Sequence, residues 1–198
     1  MPNLISSANF IGDVMLPNVA GTGAMATQLI NFIAKYEPKY LKAIFGVEFY
    51  DLLIAGLAAT DADYEGMRDR GTFVDRNGIT RDWLGLKEIG ESPIANYVYY
   101  QLMKYNVSQT QGVGESMSAV ENGTRASSIP KMVEAWNQMV DWNYTLHEYM
   151  MAKYENEDLF PEYIGIENPP ASYESILWRP LSEEPNQDLF RYINNFGI

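Results

Sequence analysis

The sequence predicts a mainly α protein: a small helical bundle with a long central loop or β-hairpin, a short β-hairpin near residues 72–81, and an extended C-terminal arm. Three observations carry this. Apolar side chains recur at three- and four-residue spacing in the stretches 22–59, 93–105 and 130–155, the period of helices with one buried face. Asn77-Gly78, a favoured hairpin turn, stands between the short runs Phe73/Val74 and Ile79/Thr80. From residue 156 the helical period stops, five prolines enter, and aromatic residues continue without a regular spacing.

Residues 1–21, broken by Pro2, Pro17 and Gly21, read as an irregular lead-in. From Thr22, the residues Met25, Leu29, Ile33 and Tyr36 fall on one helical face. Pro38 is expected to interrupt that helix, because proline has no N–H to give the preceding turn. Tyr40, Leu41, Ile44 and Phe45 then form a second short helix, Gly46 a corner, and Phe49, Leu52, Leu53 and Leu57 a third segment. The charged run TDADYEGMRDRG, residues 60–71, is expected to be an exposed connection. The hairpin about Asn77-Gly78 follows, with a two-residue type I′ turn as its natural form.

Ser92 and Pro93 mark a helix start, the serine as N-cap and the proline at the first helical position. Ile94, Tyr97, Val98, Gln101, Leu102 and Tyr105 share one face, and with Tyr99 and Tyr100 the helix is apolar nearly all round, as a central helix is. Ser128 is placed to cap a long helix over 130–155, whose face carries Trp136, Met139, Val140, Tyr144, His147 and Tyr154. Between the two helices lies SQTQGVGESMSAVENGTRASS, residues 108–128. Helix–helix connections usually run about 2–8 residues, so this passage is long for a connector inside one compact chain. Its weak alternation at Val113, Met117 and Val120 suits a strand pair once a partner is present. The organisation expected is a helical core over 1–155, bearing the loop 108–128, and an arm over 156–198.

Composition limits the function classes. With 198 residues, 46% hydrophobic and 20% charged, the chain can bury a core as a single domain. The net charge of −12 argues against wrapping nucleic acid, which needs clustered Lys and Arg. The absence of cysteine rules out disulfides, thiolate chemistry and cysteine metal sites, and the single histidine, His147, cannot build a multi-histidine site. His147 is read as a half-buried helix residue. No run approaches the roughly 18 apolar residues of a membrane span. The N-terminus lacks the basic and apolar regions of a signal peptide, so the expected location is a cytosol or an assembly built in one.

The candidate chemistry is thin. Gly112-Val113-Gly114 resembles part of a dinucleotide fingerprint, but position 117 is Met117 and a helix precedes it where a strand is required. Acidic clusters at Asp61/Asp63/Glu65, Glu155/Glu157/Asp158 and Glu183/Glu184 could serve a two-carboxylate hydrolase, but charge runs on loops are usually solvated faces. No cofactor, metal or catalytic constellation is expected. Aromatics are abundant, with 14 Tyr, 8 Phe and 4 Trp, and they interleave with acids where nucleic-acid binders interleave them with bases. Residues 148–198 hold more than half of the net negative charge, yet carry Trp178, Phe190, Tyr192 and Phe196. Such a segment wants a surface to lie on, its own or a neighbour's.

The stretch YEPKYLKAIFGVEFYDLL, followed by GITRDWLGLKEIGESPIANYVYYQLMKYNVSQTQGVGESMSAVENGTRASS, resembles the head–tail connector, or adaptor, proteins of tailed bacteriophages. The likeness is greatest to the version in crAss-like and related phages of the Bacteroidetes. The shared order is a YL…FG…YD corner, a W-x-G-L-K lead into a tyrosine-rich helix, a polar loop and a long helix, over roughly residues 36–155. The resemblance implies a structural virion protein at the head–tail junction, with no catalytic residues. Its copies would form a ring, commonly of about twelve, that docks on the portal protein, meets the tail or further ring proteins, and lets DNA pass without specific binding. By position, Thr110, Gly112 and Val113 match the start of the family's loop. Met117 and Val120 lie further along that loop, and Trp178, Phe190, Tyr192 and Phe196 would belong to the arm. The alternatives are an adaptor or regulatory protein that binds a partner without forming a ring and, less favoured, the carboxylate hydrolase.

Overall fold

A computed structural model describes residues 3–19, 21–75, 77–90, 92–107, 109–111, 114–116, 129–157, 159–160, 189 and 191–193. The fold is mainly α. Two 3-10 turns, Ser7–Asn9 and Gly12–Val14, lead into helices α1 (Ala24–Phe45), α2 (Val47–Ala58) and α3 (Ala62–Arg68). A hairpin of β1 (Gly71–Val74) and β2 (Thr80–Trp83) comes next, then α4 (Pro93–Val107), a second hairpin of β3 (Gln109–Gln111) and β4 (Gly114–Ser116), and α5 (Ile129–Glu157).

α4 is the central helix, packed against α1 on one side and α5 on the other. Every residue from Ser92 to Tyr99 is buried, as its all-round apolar sequence predicts. Its start is capped as expected: the Ser92 hydroxyl accepts the Ala95 N–H (3.2 Å) and donates to the Leu86 carbonyl (2.6 Å). α5, with 29 residues, is a rod of about 43 Å at about 1.5 Å per residue. Ser128, its expected cap, lies outside the described residues.

Pro38 does not break the first helix, contrary to expectation. α1 runs through it as one helix of 22 residues. Its buried stripe, Leu29, Ile33, Glu37, Tyr40, Leu41, Ile44 and Phe45, passes the proline without a change of face. A proline in a helix interior costs about 3 kcal/mol, a term this continuous apolar burial outweighs. The charged run after residue 60 also differs from expectation, because it contains α3. Asp61 caps this helix by accepting the Asp63 N–H (3.0 Å), and Met67 anchors it in the core.

The β1–β2 hairpin pairs Gly71 with Trp83 and Val74 with Thr80. It does not turn on a two-residue type I′ loop at Asn77-Gly78. Asp75 N–H donates to the Ile79 carbonyl and Gly78 N–H to the Asp75 carbonyl, each at 2.9 Å, so three residues separate the last pair. Gly78, at φ 75°, takes the left-handed position that three-residue loops require at their end. The Asp75 carboxylate decides this form: it accepts the Asn77 and Ile79 N–H groups, each at 2.9 Å, and the Arg81 guanidinium at 2.7 Å. The hairpin's inner face is aromatic. Trp83 stacks on Tyr149 of α5 with ring centres 4.5 Å apart, Trp142 meets its edge, and its indole N–H reaches the Gly66 and Met67 carbonyls.

The lead-in is tied to α1 by a buried carboxylate. Glu37, 4% exposed, accepts the N–H groups of Leu4 (2.8 Å) and Ile5 (3.1 Å). Burial pushes its pKa up, while the two hydrogen bonds pull it down by less.

Candidate functional site

The described parts of the expected arm lie on the helical core. Phe160 is buried against the rings of Phe49 and Tyr64, at centroid distances of 5.7 and 5.4 Å. Leu189 and residues 191–193 lie against α5, and side chains of that helix read their backbone. Asn143 donates to the Leu189 carbonyl (2.6 Å), Trp136 Nε1 to the Arg191 carbonyl (2.7 Å) and Asn137 Nδ2 to the Ile193 carbonyl (3.1 Å). Asn137 Oδ1 accepts the Ile193 N–H in return (2.9 Å).

The carbonyls used are those of residues 189, 191 and 193, every second residue of the segment. Leu189 meets Asn143, and residues 191–193 meet α5 over residues 136–141. Trp136, Asn137, Asp141, Asn143 and Tyr144 share an arc of α5 because they are spaced by helical turns. Leu189 is buried at one end of the clamp. Asn143 is fully buried, and its oxygen accepts the Tyr40 hydroxyl of α1, so one amide links α1, α5 and the C-terminal segment.

Tyr192 forms the rim. It is 54% exposed, its hydroxyl donates to Asp141 Oδ1 (2.6 Å), and its ring stacks on Tyr144. The Asp141 carboxylate holds the phenol proton in place and pushes its pKa up to about 12.

Of the residues singled out from sequence, Tyr192 thus has a defined seat. Thr110 lies in β3, paired with Glu115 of β4. Gly112, Val113, Met117, Val120, Trp178, Phe190 and Phe196 lie outside the described residues. The clamp residues Trp136, Asn137 and Asn143 carry more of the geometry than those singled out. The available signal was two asparagines on or beside the apolar face of α5, which need partners if buried.

The β3–β4 hairpin forms a sheet of its own, separate from β1–β2. Its register, Gln109 with Ser116 and Gln111 with Gly114, places it directly after the end of α4.

Of the acidic clusters, Asp61 caps α3 and Glu65 pairs with Arg68. Arg68 bridges Glu65 (3.3 Å) and Asp69 (2.6 Å), and Lys87 reaches Asp69 (2.8 Å). The Arg68 hydrogen bond, with Lys87, holds the Asp69 carboxyl down at about 2. Asp158, Glu183 and Glu184 lie outside the described residues. His147 is buried in α5. Among the described residues no group of three or more His, Cys, Asp or Glu is placed to hold a metal ion, and no helix is long and apolar enough to cross a membrane.

Fold and site together define a mainly α bundle with two small hairpins and a helix that holds Leu189 and residues 191–193 against its side. No protein-family model, curated protein or solved structure matches the chain.

Proposed function

We propose that the chain is a structural subunit of a virion, a head–tail connector that forms a ring, docks on the portal protein, extends the DNA channel and joins the tail or further ring proteins. The observation that carries this reading is the β3–β4 hairpin. It stands between the two principal core helices and pairs with no other described strand. A two-stranded hairpin is marginal alone in water, and its outer edges offer unpaired backbone groups to another chain. In a ring each subunit offers two different faces, and a projecting hairpin adds area at such a joint without enlarging the core.

Two further features support it. The net charge of −12, repeated around a ring of about twelve copies, would form a negative field that keeps DNA from adhering. The sequence order from Tyr36 to Glu155 resembles that of the connector family. The ring would sit at the head–tail junction after synthesis in the host cytoplasm.

A second reading, an adaptor that binds one partner without forming a ring, draws on the C-terminal clamp. With Leu189 and residues 191–193 seated on its own α5, the chain needs no neighbour to cover that face. Electron microscopy of the chain mixed with the portal protein of the same phage separates the two. A ring of density stacked on the portal is the expected result. Portals decorated at isolated positions favour the adaptor, and bare portals overturn both.

A further inference from the structure

Opposite charges are sorted onto the two helices that flank α4. α1 carries Lys35, Lys39 and Lys42, all exposed, and its one acid is the buried Glu37. Spaced by four and then three residues, the lysines fall on one line along the face turned away from the buried stripe. Among the described residues none of the three forms an ion pair. Their ammonium groups lie over rings, Lys35 (5.0 Å) and Lys39 (5.9 Å) over Tyr36 and Lys42 (4.9 Å) over Tyr50.

α5 carries the opposite sign. Glu134, Asp141, Glu148 and Glu155 recur at every seventh residue and line the side of the helix away from its buried residues. Glu134, Asp141 and Glu155 are exposed and Glu148 is half-buried. Lys131 and Lys153 fall to one side of this line, and Lys153 lies over the Tyr149 ring (6.0 Å). Seven residues rise about 10.5 Å, so Lys35 and Lys42 stand at the same interval as each successive pair of acids. Lysines on a solvent face need no partner by themselves. Here two stripes of opposite sign share one repeat, on helices held apart by α4. Helices that pair side by side use charges at this repeat to choose partner and orientation.

We propose that the lysine face of α1 is a docking face for a second copy of the chain, received on the acidic stripe of that copy's α5. Charge decides the occupant. The chain as a whole carries −12, so two copies repel unless this face turns to the other's acids. A nucleic acid would meet three lysines on a strongly negative chain, whereas α5 of a second copy brings acids at matching intervals. Exposed ion pairs contribute little singly, but a line of them fixes the orientation and register of a contact. Phe32 and Tyr36, half-buried beside the lysines, add apolar area. The two faces differ, so each copy both gives and receives, and the contact closes a ring or extends a row. The proposal rests on the joining of copies in the proposed function and is independent of the portal.

Two full-length variants test it, with circular dichroism reporting that each keeps its helices. Lys35→Glu/Lys39→Glu/Lys42→Glu is acidic on both faces. Glu134→Lys/Glu148→Lys/Glu155→Lys is basic on both, and leaves Asp141 to hold Tyr192. In sedimentation at low salt the parent should associate, and either variant, or raising the salt to about 0.5 M, should weaken this at least about tenfold. Mixing the two variants should restore association in alternating copies, because each then offers the face the other lacks. Should a reversed chain lose its helices, Lys35→Gln/Lys39→Gln/Lys42→Gln removes the charge alone and should weaken association about threefold. A parent that stays monomeric, variants that associate as the parent does, or a mixture that stays apart would each overturn the proposal. So would an oligonucleotide that binds through the three lysines while the copies remain single. A lysine-reversed chain that still forms a ring on the portal removes this contact and leaves the connector reading. Restored association of the mixed variants, from a parent that ignores the portal, does the opposite.

Discussion

Asn137 holds Ile193 by both of its main-chain groups, donating to the carbonyl at 3.1 Å and accepting the N–H at 2.9 Å. A side-chain amide offers the same donor and acceptor pair as a peptide bond, so α5 presents a strand's pairing edge from a helix. Asn137→Ala removes both bonds. At about 1 kcal/mol each, this should loosen residues 189–193 by about 2 kcal/mol while leaving the helical core folded. Hydrogen exchange checks this: protection of the Ile193 amide should fall about thirtyfold, with exchange in α4 unchanged.

Gly85 is fixed by a close approach. It lies at φ 81°, and a Cβ there would stand 2.6 Å from the Arg68 carbonyl oxygen. The same carbonyl accepts the Leu86 N–H at 2.9 Å, so it cannot retreat without breaking the join between α3 and the approach to α4. Gly85→Ala should destabilise the protein by about 1–3 kcal/mol, read as a lower urea midpoint at unchanged slope. Gly71→Ala, where an added Cβ meets nothing within 4 Å, is the matched control.

The same lead into α4 shows what was legible in the sequence. Ser92-Pro93 announces its helix because a cap and a first-turn proline are local signals, and the all-round apolar face of α4 needs only a count of side chains. α5 is legible from the three- and four-residue recurrence of its apolar side chains. Pro38 misleads because the term that keeps α1 whole is burial of Leu41, Ile44 and Phe45, which depends on what they pack against. The three-residue turn at Asp75 is set by one carboxylate gathering two N–H groups and Arg81, a choice the dipeptide Asn77-Gly78 does not reveal. The C-terminal clamp is the least legible, because the atoms recognised are carbonyls, identical at every residue. The pairing of Thr110 with Glu115 agrees with a hairpin in the central passage, one of the two forms expected of it.

Buried Glu37 gives a pH signature. Burial raises its folded pKa above the ordinary 4.5, so the native state binds the proton more tightly than the unfolded chain. Stability contributed by this group therefore falls as pH rises from 4.5 through the raised value. Glu37→Gln removes that slope, at the cost of one of the two acceptor oxygens that Leu4 and Ile5 use. The variant should gain stability relative to the parent across this window and hold the gain above it. Asp69, held at about 2, has the opposite sign: its contribution is present above 3.8 and is lost as pH falls towards 2. Urea unfolding from pH 3 to pH 8 for the parent, Glu37→Gln and Asp69→Asn checks both. The Asp69 effect should be the smaller and should shrink in salt, because its ion pairs are solvent-accessible.

In the proposed function the chain joins copies of itself on a portal, with the passage between α4 and α5 at the joint. The most direct measurement is the mass of the complex formed with the purified portal protein, for the full chain and for a chain lacking residues 109–127. One copy per portal subunit is expected for the full chain. No complex is expected for the deletion, whose circular dichroism should still report the folded helices. A full chain that stays monomeric beside the portal, or a deletion that assembles at the same stoichiometry, would contradict it.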